Sequence, residues 1–455
     1  MTDHAGARPR ARLDRGPALA VIGVLGALVL VNAPLLGSDP WAFEPGRAEP
    51  DGPLAWLVRA ADSEWNVGVL RSAALLGGLL VALAAAVAGV VRSWSPRLLV
   101  ALGAVVLTLL ILPGVLLQIG LRDSTAPWFF TNDSTYQIEI AGDLLREGSS
   151  PYGYDYGSSG LERFYSLDGS VSEETFEQQV ALTHFAYFPG TPATAGVWTA
   201  LPRPWDDYRI FVALATLAAF PAAFLFVGPL SWRLAVGAVI AGNPLAVRAT
   251  WFGTADAPSI LLVLVAFGLL TRSRYSGAAA ALAGAVLMRQ FALVAVPFLA
   301  VMILTRASRR SAAKAGITFG AVLFAGLLPF AIANPAAFWS DTISYGTETY
   351  RIVGYGLAQL LEEAGLVSAS GDYPFLLLVL LVWLPATAAL VAMQLRSRDL
   401  RTGAVSFSVS MFLLLFLARA FQTSHMIWPA LGIALACLLS EVDRTATRDT
   451  ATPPA

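Results

Sequence analysis

The chain has 455 residues, 56% of them hydrophobic and 13% charged, with a formal net charge of -1. A composition this apolar excludes an ordinary soluble domain, and its charge balance gives no footprint for nucleic acid. Several apolar runs approach the ~20 residues needed to cross a bilayer, so the expected fold is an all-α polytopic membrane protein.

Residues 1–16 carry Arg8, Arg10, Arg12 and Arg15, which place the N-terminus in the cytoplasm by the positive-inside rule. The run 17–36 is too long for a signal-peptide core and lacks a clear cleavage site, so it reads as a retained anchor. With a second run at about 70–91 it makes an N-terminal transmembrane hairpin, 17–91, around an acidic outer loop. Arg92–Arg97 lie inside again, and a third run, about 98–119, leads out to an extracytoplasmic segment of about 120–188.

That segment opens with "NDSTYQIEIAGDLLREGSSPY", Asn132 to Tyr152. Ser134 and Gln137 make an S-x-x-Q capping box, which starts a helix. Tyr136, Ile140 and Leu144, flanked by Ala141 and Leu145, form an apolar arc. Glu139, Asp143 and Glu147 form an acidic stripe beside it, read as a solvated face with Glu139 the exception. Gly148 and Pro151 stop the helix. It is built to lie flat on a surface, with Asp133 just ahead of its first turn.

Next come runs at about 190–203, 209–229 and 233–248. They cannot all span if Asp256 lies outside, so the proline-bounded 190–203 is taken as a partial or re-entrant element. This count puts the adjacent Asp206 and Asp207 near the cytoplasmic side. Between Arg274 and Arg306 lies an apolar stretch with both ends basic. Both ends belong inside, so the stretch should be a hairpin of two arms of 13–15 residues turning near "MRQF". Each arm would measure about 20 Å, short of the ~30 Å hydrocarbon core, leaving Arg289 below the outer surface. Further helices are expected near 315–334, 375–395, 404–420 and 425–440, with the loop 335–373 outside. The polar end 441–455 reads as a disordered cytoplasmic tail. The total is about twelve spans.

Cys437 is alone, so no intrachain disulfide can form, and three histidines without a Cys/His cluster suggest no zinc site. Internal repeats, phosphate loops, nucleophile elbows and D-x-D pairs are absent from the sequence. The unusual polar residues instead gather on one membrane face. They are Asp133, His184 with Tyr187, Arg248, Asp256, Arg289 with Gln290, Tyr350 with Arg351, and Arg419 with His425. An acid, several arginines and a histidine converging at a membrane surface suit an anionic substrate and proton transfer.

"NDSTYQIEIAGDLLREGSSPY" resembles the first extracytoplasmic loop of GT-C membrane glycosyltransferases, where an aspartate follows an early helix. "GNPLAVRATWFGTADAPSILLVLVAFGLLTRSR" and "GAAAALAGAVLMRQFALVAVPFLA" resemble that fold's core, and "GYGLAQLLEEAGL" its late amphipathic helix. The resemblance covers about 98–440, and is nearest to the polyprenyl-phosphomannose-dependent mannosyltransferases of actinobacteria, glycosyltransferase family 87. The arginine bias fits such a GC-rich source, since Lys314 is the one lysine among 30 basic residues. The chain departs from the family in its extra hairpin 17–91 and in having Arg289 where many relatives have lysine.

The resemblance implies a GT-C-like bundle of about twelve transmembrane helices with extracytoplasmic juxtamembrane helices, in a bacterial plasma membrane. The donor would be a sugar, mannose by the nearest relatives, on a polyprenyl phosphate. The acceptor would be a hydroxyl of a cell-envelope glycolipid or glycan. Asp133 would act as general base in an inverting transfer without metal or cofactor. Arg289, Arg419 and His425 would face the phosphate. Asp256, Glu139, Arg248, Gln290, Tyr136, His184 and Arg351 complete the candidate substrate-binding set. Each has a plainer role open to it: Asp133 as an acid favoured at a helix start, Arg289 as a snorkelling cation, Asp256 as an N-cap. Arabinose and mannose donors share the lipid phosphate, so these residues leave the sugar open, as they do the oligomeric state. The alternative functions are a flippase or transporter of lipid-linked sugars and a membrane scaffold. The missing repeat and the one-sided polar cluster weigh against transport.

Overall fold

The computed structural model describes residues 13–33, 93–124, 131, 133–164, 182–349, 352–368 and 372–451, with scattered helical positions between 76 and 87. Tyr350, Arg351 and most of the run 70–91 lie outside the described residues. Helices α1 (Arg15–Asn32), α2 (Pro96–Ser124), α3 (Asp133–Arg146), α4 (Gly190–Trp198) and α5 (Tyr208–Ala222) come first. After these follow α6 (Leu230–Gly242), α7 (Pro244–Phe252), α8 (Asp256–Thr271), α9 (Tyr275–Met288) and α10 (Val296–Arg306). The last are α11 (Arg309–Ala333), α12 (Pro335–Trp339), α13 (Leu357–Glu363), α14 (Phe375–Ser397), α15 (Leu400–Leu417) and α16 (Ile427–Ala451). The last helix thus runs on past Glu441, where the sequence suggests a disordered tail to begin.

Seven of the described helices are long and apolar enough to cross a membrane, eight if the α6–α7 pair, bent by 42°, is one span. The protein is an all-α membrane protein. The twelve expected from the sequence are not reached: α8, α9 and Gln290–Arg306 are shorter apolar helices, and most of the run 70–91 lies outside the described residues. The α11 and α14 windows are only 6% buried within the protein, as helices facing lipid would be.

Hydrogen bonds between turns show how the chain shuttles between two ends. Asp207 caps α5 beside Glu139 of α3, so α5 starts at the α3 end. At the opposite end Arg272 donates to the Leu225 and Phe224 carbonyls (2.6 and 2.9 Å). Tyr275 there reaches the Arg306 carbonyl (3.4 Å). Both ends of the 275–306 stretch therefore meet, as a hairpin requires, and its turn lies at the α3 end. The bend after α6 frees the Gly242 carbonyl, which the buried Asn32 amide satisfies at 2.8 Å. This ties α1 into the main core with α2 and α6, so α1 is not an appendage outside the bundle.

Two devices dock α3. First, α3 and α4 cross at Gly142 and Gly196: a Cβ on Gly142 would lie 2.5 Å from the Gly196 nitrogen. The nine-residue α4 lies against α3 and is too short to span, in keeping with its reading as a partial element. Second, a buried ionic quartet joins three helices. Arg122, at the end of α2, donates to Glu139 Oε1 and Oε2 (3.1 and 2.6 Å) and to Asp207 Oδ2 (2.8 Å). Arg209 donates to Asp207 Oδ1 and Oδ2 (2.8 and 2.6 Å). The Tyr208 amide donates to Glu139 (2.9 Å). Asp207 therefore sits at the same end as α3, whereas the sequence count separates the two; α4 is too short to carry the chain away from the end it left.

The two carboxylates differ. Burial pushes the Glu139 carboxyl up despite Arg122. For Asp207 the same burial is outweighed by the Arg209 and Arg122 guanidiniums, which hold it well below the usual carboxylate range. Removing one partner of a buried pair strands the other charge, at a cost of about 3–5 kcal/mol. Asp207→Asn should accordingly lower the thermal midpoint in detergent strongly and Glu139→Gln much less. Gly142→Leu should expose α3 to limited proteolysis while leaving the helical circular dichroism in place.

Candidate functional site

The site end is assembled around α3. Its burial does not follow the predicted arc: Thr135, Gln137, Ile138, Glu139, Ala141 and Gly142 are buried, while Tyr136, Ile140 and Leu144 are half-buried. The reason is the tight α4 crossing, which selects the small-residue side. The capping box also gives way. The helix begins at Asp133, whose Oδ1 accepts from the Ser134 amide (2.7 Å). Gln137 instead donates to the His184 carbonyl (2.8 Å). Along the expected acidic stripe Glu139 is in the quartet, Asp143 accepts from Thr199 (2.7 Å), and Glu147 is exposed.

Thr135 Oγ1 donates to the Gly253 carbonyl (2.8 Å), which seats the first turn of α3 on the turn between α7 and α8. Gly253 has φ +73°, and a Cβ there would lie 2.5 Å from Arg209 Cγ and 2.8 Å from Thr135 Oγ1. Only glycine suits both the left-handed backbone and this packing. Three residues on, Asp256 is the first residue of α8 and is 2% exposed. It does not serve as the helix N-cap. Its Oδ1 accepts from Trp428 Nε1 (2.9 Å) and lies 3.2 Å from Arg289 Nε.

Arg289 occupies the hairpin turn as foreseen, with extended backbone (φ -149°, ψ 125°) between α9 and a 3-10 turn, Gln290–Ala295. Its guanidinium carbon lies 4.8 Å from the Tyr187 ring centre and 4.9 Å from that of Phe291. Such ring faces attract a cation and hold its plane in place. Arg289 Nε is buried without a hydrogen bond, so its contact with Asp256 is an ion pair rather than a directed bond. The His425 ring meets Phe291 edge-on at 5.2 Å, and Trp428 meets it at 5.9 Å. His425 Nδ1 accepts from the Gln422 amide (3.3 Å), which places the proton of the neutral ring on Nε2. Arg419 is 3% exposed and lies beside the short parallel pairing of Val353–Gly354 with Ala420–Phe421. The Arg419 carbonyl accepts from Val353.

The remaining candidates divide. Gln290 is committed to the Ala186 carbonyl (2.6 Å). Tyr136 donates to Ser159 (3.1 Å) and stacks beneath Arg122. Glu139, a candidate for substrate contact, is taken up by Arg122. Arg248 is exposed on α7. Arg351 lies outside the described residues. His184 joins Asp341 rather than the Asp256–Arg289 group, with Nδ1 to Oδ1 at 2.8 Å.

Sequence reasoning missed Arg122, Asp207, Arg209, Asp341 and Trp428. Arg122 carried a signal: it stands at the end of the third apolar run opposite the basic link Arg92–Arg97, where the positive-inside rule expects no cation unless an acid pairs with it. Asp341 and Trp428 carried none, because their partners are distant in sequence. Among the described residues no group of three or more His, Cys, Asp or Glu side chains is placed to share a metal ion. No protein-family model, no curated protein and no solved structure matches this chain, so its residues and their geometry are the ground for a functional reading.

Proposed function

We propose that this protein is an extracytoplasmic, inverting glycosyltransferase of GT-C architecture, moving a sugar, mannose by resemblance, from a polyprenyl phosphate to a hydroxyl of an envelope glycolipid or glycan. The observation that carries the reading is Arg289. It is a cation at the turn of a short-helix hairpin, flanked by two aromatic rings, paired loosely with Asp256 and at the same end as Asp133. A guanidinium fixed in plane but not closed off by a bidentate carboxylate suits a phosphate. Arg272, Arg274, Arg306, Arg309, Arg310, Arg396 and Arg398 lie at or beside turns of the opposite end, which makes that end cytoplasmic and the site outward. With the bent α6–α7 pair taken as the eighth span, the three shorter helices and the run 70–91 bring the proposed total to twelve passes.

On this reading Asp133 accepts the proton of the acceptor hydroxyl as its oxygen attacks the anomeric carbon. The bond from that carbon to the phosphate oxygen breaks, and negative charge grows on the departing lipid phosphate. Arg289, with His425 beside it and Arg419 as a further candidate, stabilises that charge, so no metal is needed. Asp256 holds Arg289 in place and Trp428 holds Asp256.

Purified protein in lipid, given short-chain polyprenyl-phosphate mannose and envelope glycolipids, should transfer sugar in the presence of a chelator. Asp133→Asn should lose about 10²–10⁴-fold in kcat with donor binding intact. Arg289→Ala should lose about 10²–10³-fold, and Arg289→Lys should recover part of it. Unchanged transfer by Asp133→Asn would remove it as the base. Donor binding without transfer, with lipid-linked sugar crossing the bilayer of proteoliposomes, would establish the transporter instead.

A further inference from the structure

The His184–Asp341 pair is not used by the mechanism above, yet it has the build of an oriented imidazole. Asp341 is 2% exposed, and both its oxygens are committed: Oδ1 to His184 Nδ1 (2.8 Å) and Oδ2 to the Gly153 amide (2.8 Å). Gly153 itself has φ +72°. The ring is stacked on Tyr345, with centroids 4.9 Å apart and planes 21° apart. The backbone on either side is pinned as well, by Gln137 at the His184 carbonyl and by Gln290 at the Ala186 carbonyl. A carboxylate accepts only, so Nδ1 must donate to Asp341, and in the neutral ring Nε2 is left as an acceptor. The His184 side chain is 19% exposed, and Nε2 has no partner among the described residues.

We infer that His184 Nε2 is a hydroxyl-binding group for the sugar acceptor, with Asp341 as the residue that sets its tautomer. The inference rests on the glycosyl-transfer reading for the identity of the ligand, but its geometry stands apart from Asp133 and Arg289. The ligand it fits is a polyhydroxyl compound that donates one O–H to the imidazole. A second oxygen acceptor at the same place would have accepted but not set the ring's orientation. The stacked ring and the fully engaged carboxylate do both.

Gly153 makes the assignment testable. In Asp341→Asn the amide oxygen must face the Gly153 N–H, because only the oxygen can accept. The amide NH₂ then faces His184 Nδ1, which must accept in turn, and the ring proton moves to Nε2. This isosteric change turns the outward nitrogen from acceptor into donor. His184→Asn has a different effect: its amide nitrogen can still donate to Asp341, so the tie between the two segments is kept and only the outward nitrogen is lost.

The experiment is nitrogen NMR of histidine-labelled protein, which holds three histidines, with the His184 signal identified by its absence in His184→Asn. The wild-type ring should show Nε2 unprotonated and shifted by added methyl mannoside, and Asp341→Asn should show the proton on Nε2. In transfer assays both variants should raise the acceptor KM about tenfold, the value of one hydrogen bond. The donor KM and the thermal midpoint should stay unchanged. A wild-type Nε2 that carries a proton, or that methyl mannoside leaves unmoved, overturns the inference. So does an acceptor KM that neither variant changes. A wild type that transfers no sugar removes the glycosyl-transfer reading alone, since the nitrogen signal still decides whether His184 binds a hydroxyl.

Discussion

The Arg122–Glu139–Asp207–Arg209 quartet binds a helix lying across the end of the bundle to two helices within it. Four charges taken out of water would be costly singly, but they sum to zero and nearly every oxygen is met by a nitrogen within 3.1 Å. A quartet of this kind contributes geometry more than stability, since apolar packing of equal volume could hold α3 as firmly. What apolar packing would not do is fix rotation and register. With Glu139 locked to Arg122, α3 can neither roll nor slide, and Gly142 against Gly196 sets its depth. Asp133 and Thr135 then arrive at the Gly253 turn in one orientation.

The hairpin contributes the second constraint. Helix α9 has fourteen residues, about 21 Å of rise, so the chain turns before it could clear a full hydrocarbon layer. The turn carries Arg289, whose side chain is 15% exposed and is sustained there by Asp256 and two aromatic faces. The same shortness leaves α8, α9 and Gln290–Arg306 below the length of a full span, although much of each packs into the main core. Short helices and a buried cation are one feature seen twice.

Much of this was legible in the sequence. Arginine clusters marked the turns of one end, and the basic residues at both edges of 275–306 exposed the hairpin and the place of Arg289. Helix boundaries for α11, α14 and α15 came within a few residues, because hydropathy and turn residues are local signals. The failures are all long-range. The buried face of α3 was set by a glycine crossing with α4 that periodicity does not encode. Gln137 took a tertiary partner in place of its capping role. Glu139, singled out as the exception in its acidic stripe and as a candidate for substrate contact, instead joins Arg122 and Asp207, 17 residues before and 68 after it. Asp206 and Asp207 were placed apart from α3, although 190–203 was itself read as a partial element, because nothing local in the sequence ties Asp207 to Arg122.

The segment His184–Tyr187 shows how a site can be coordinated without a helix. Extended backbone leaves its carbonyls unmet, and here side chains from elsewhere meet them: Gln137 of α3 at His184, Gln290 of the hairpin at Ala186, and Tyr152 at Tyr187 (2.9 Å). The side chains of the segment work in opposite directions, His184 toward Asp341 and Tyr187 toward Arg289. Four consecutive residues therefore touch the helix that carries Asp133, the turn that carries Arg289 and the helical segment Ser340–Thr349 that carries Asp341. The groups proposed to handle acceptor and donor are thus held in mutual register by backbone hydrogen bonding, a constraint that no single helix in the bundle imposes.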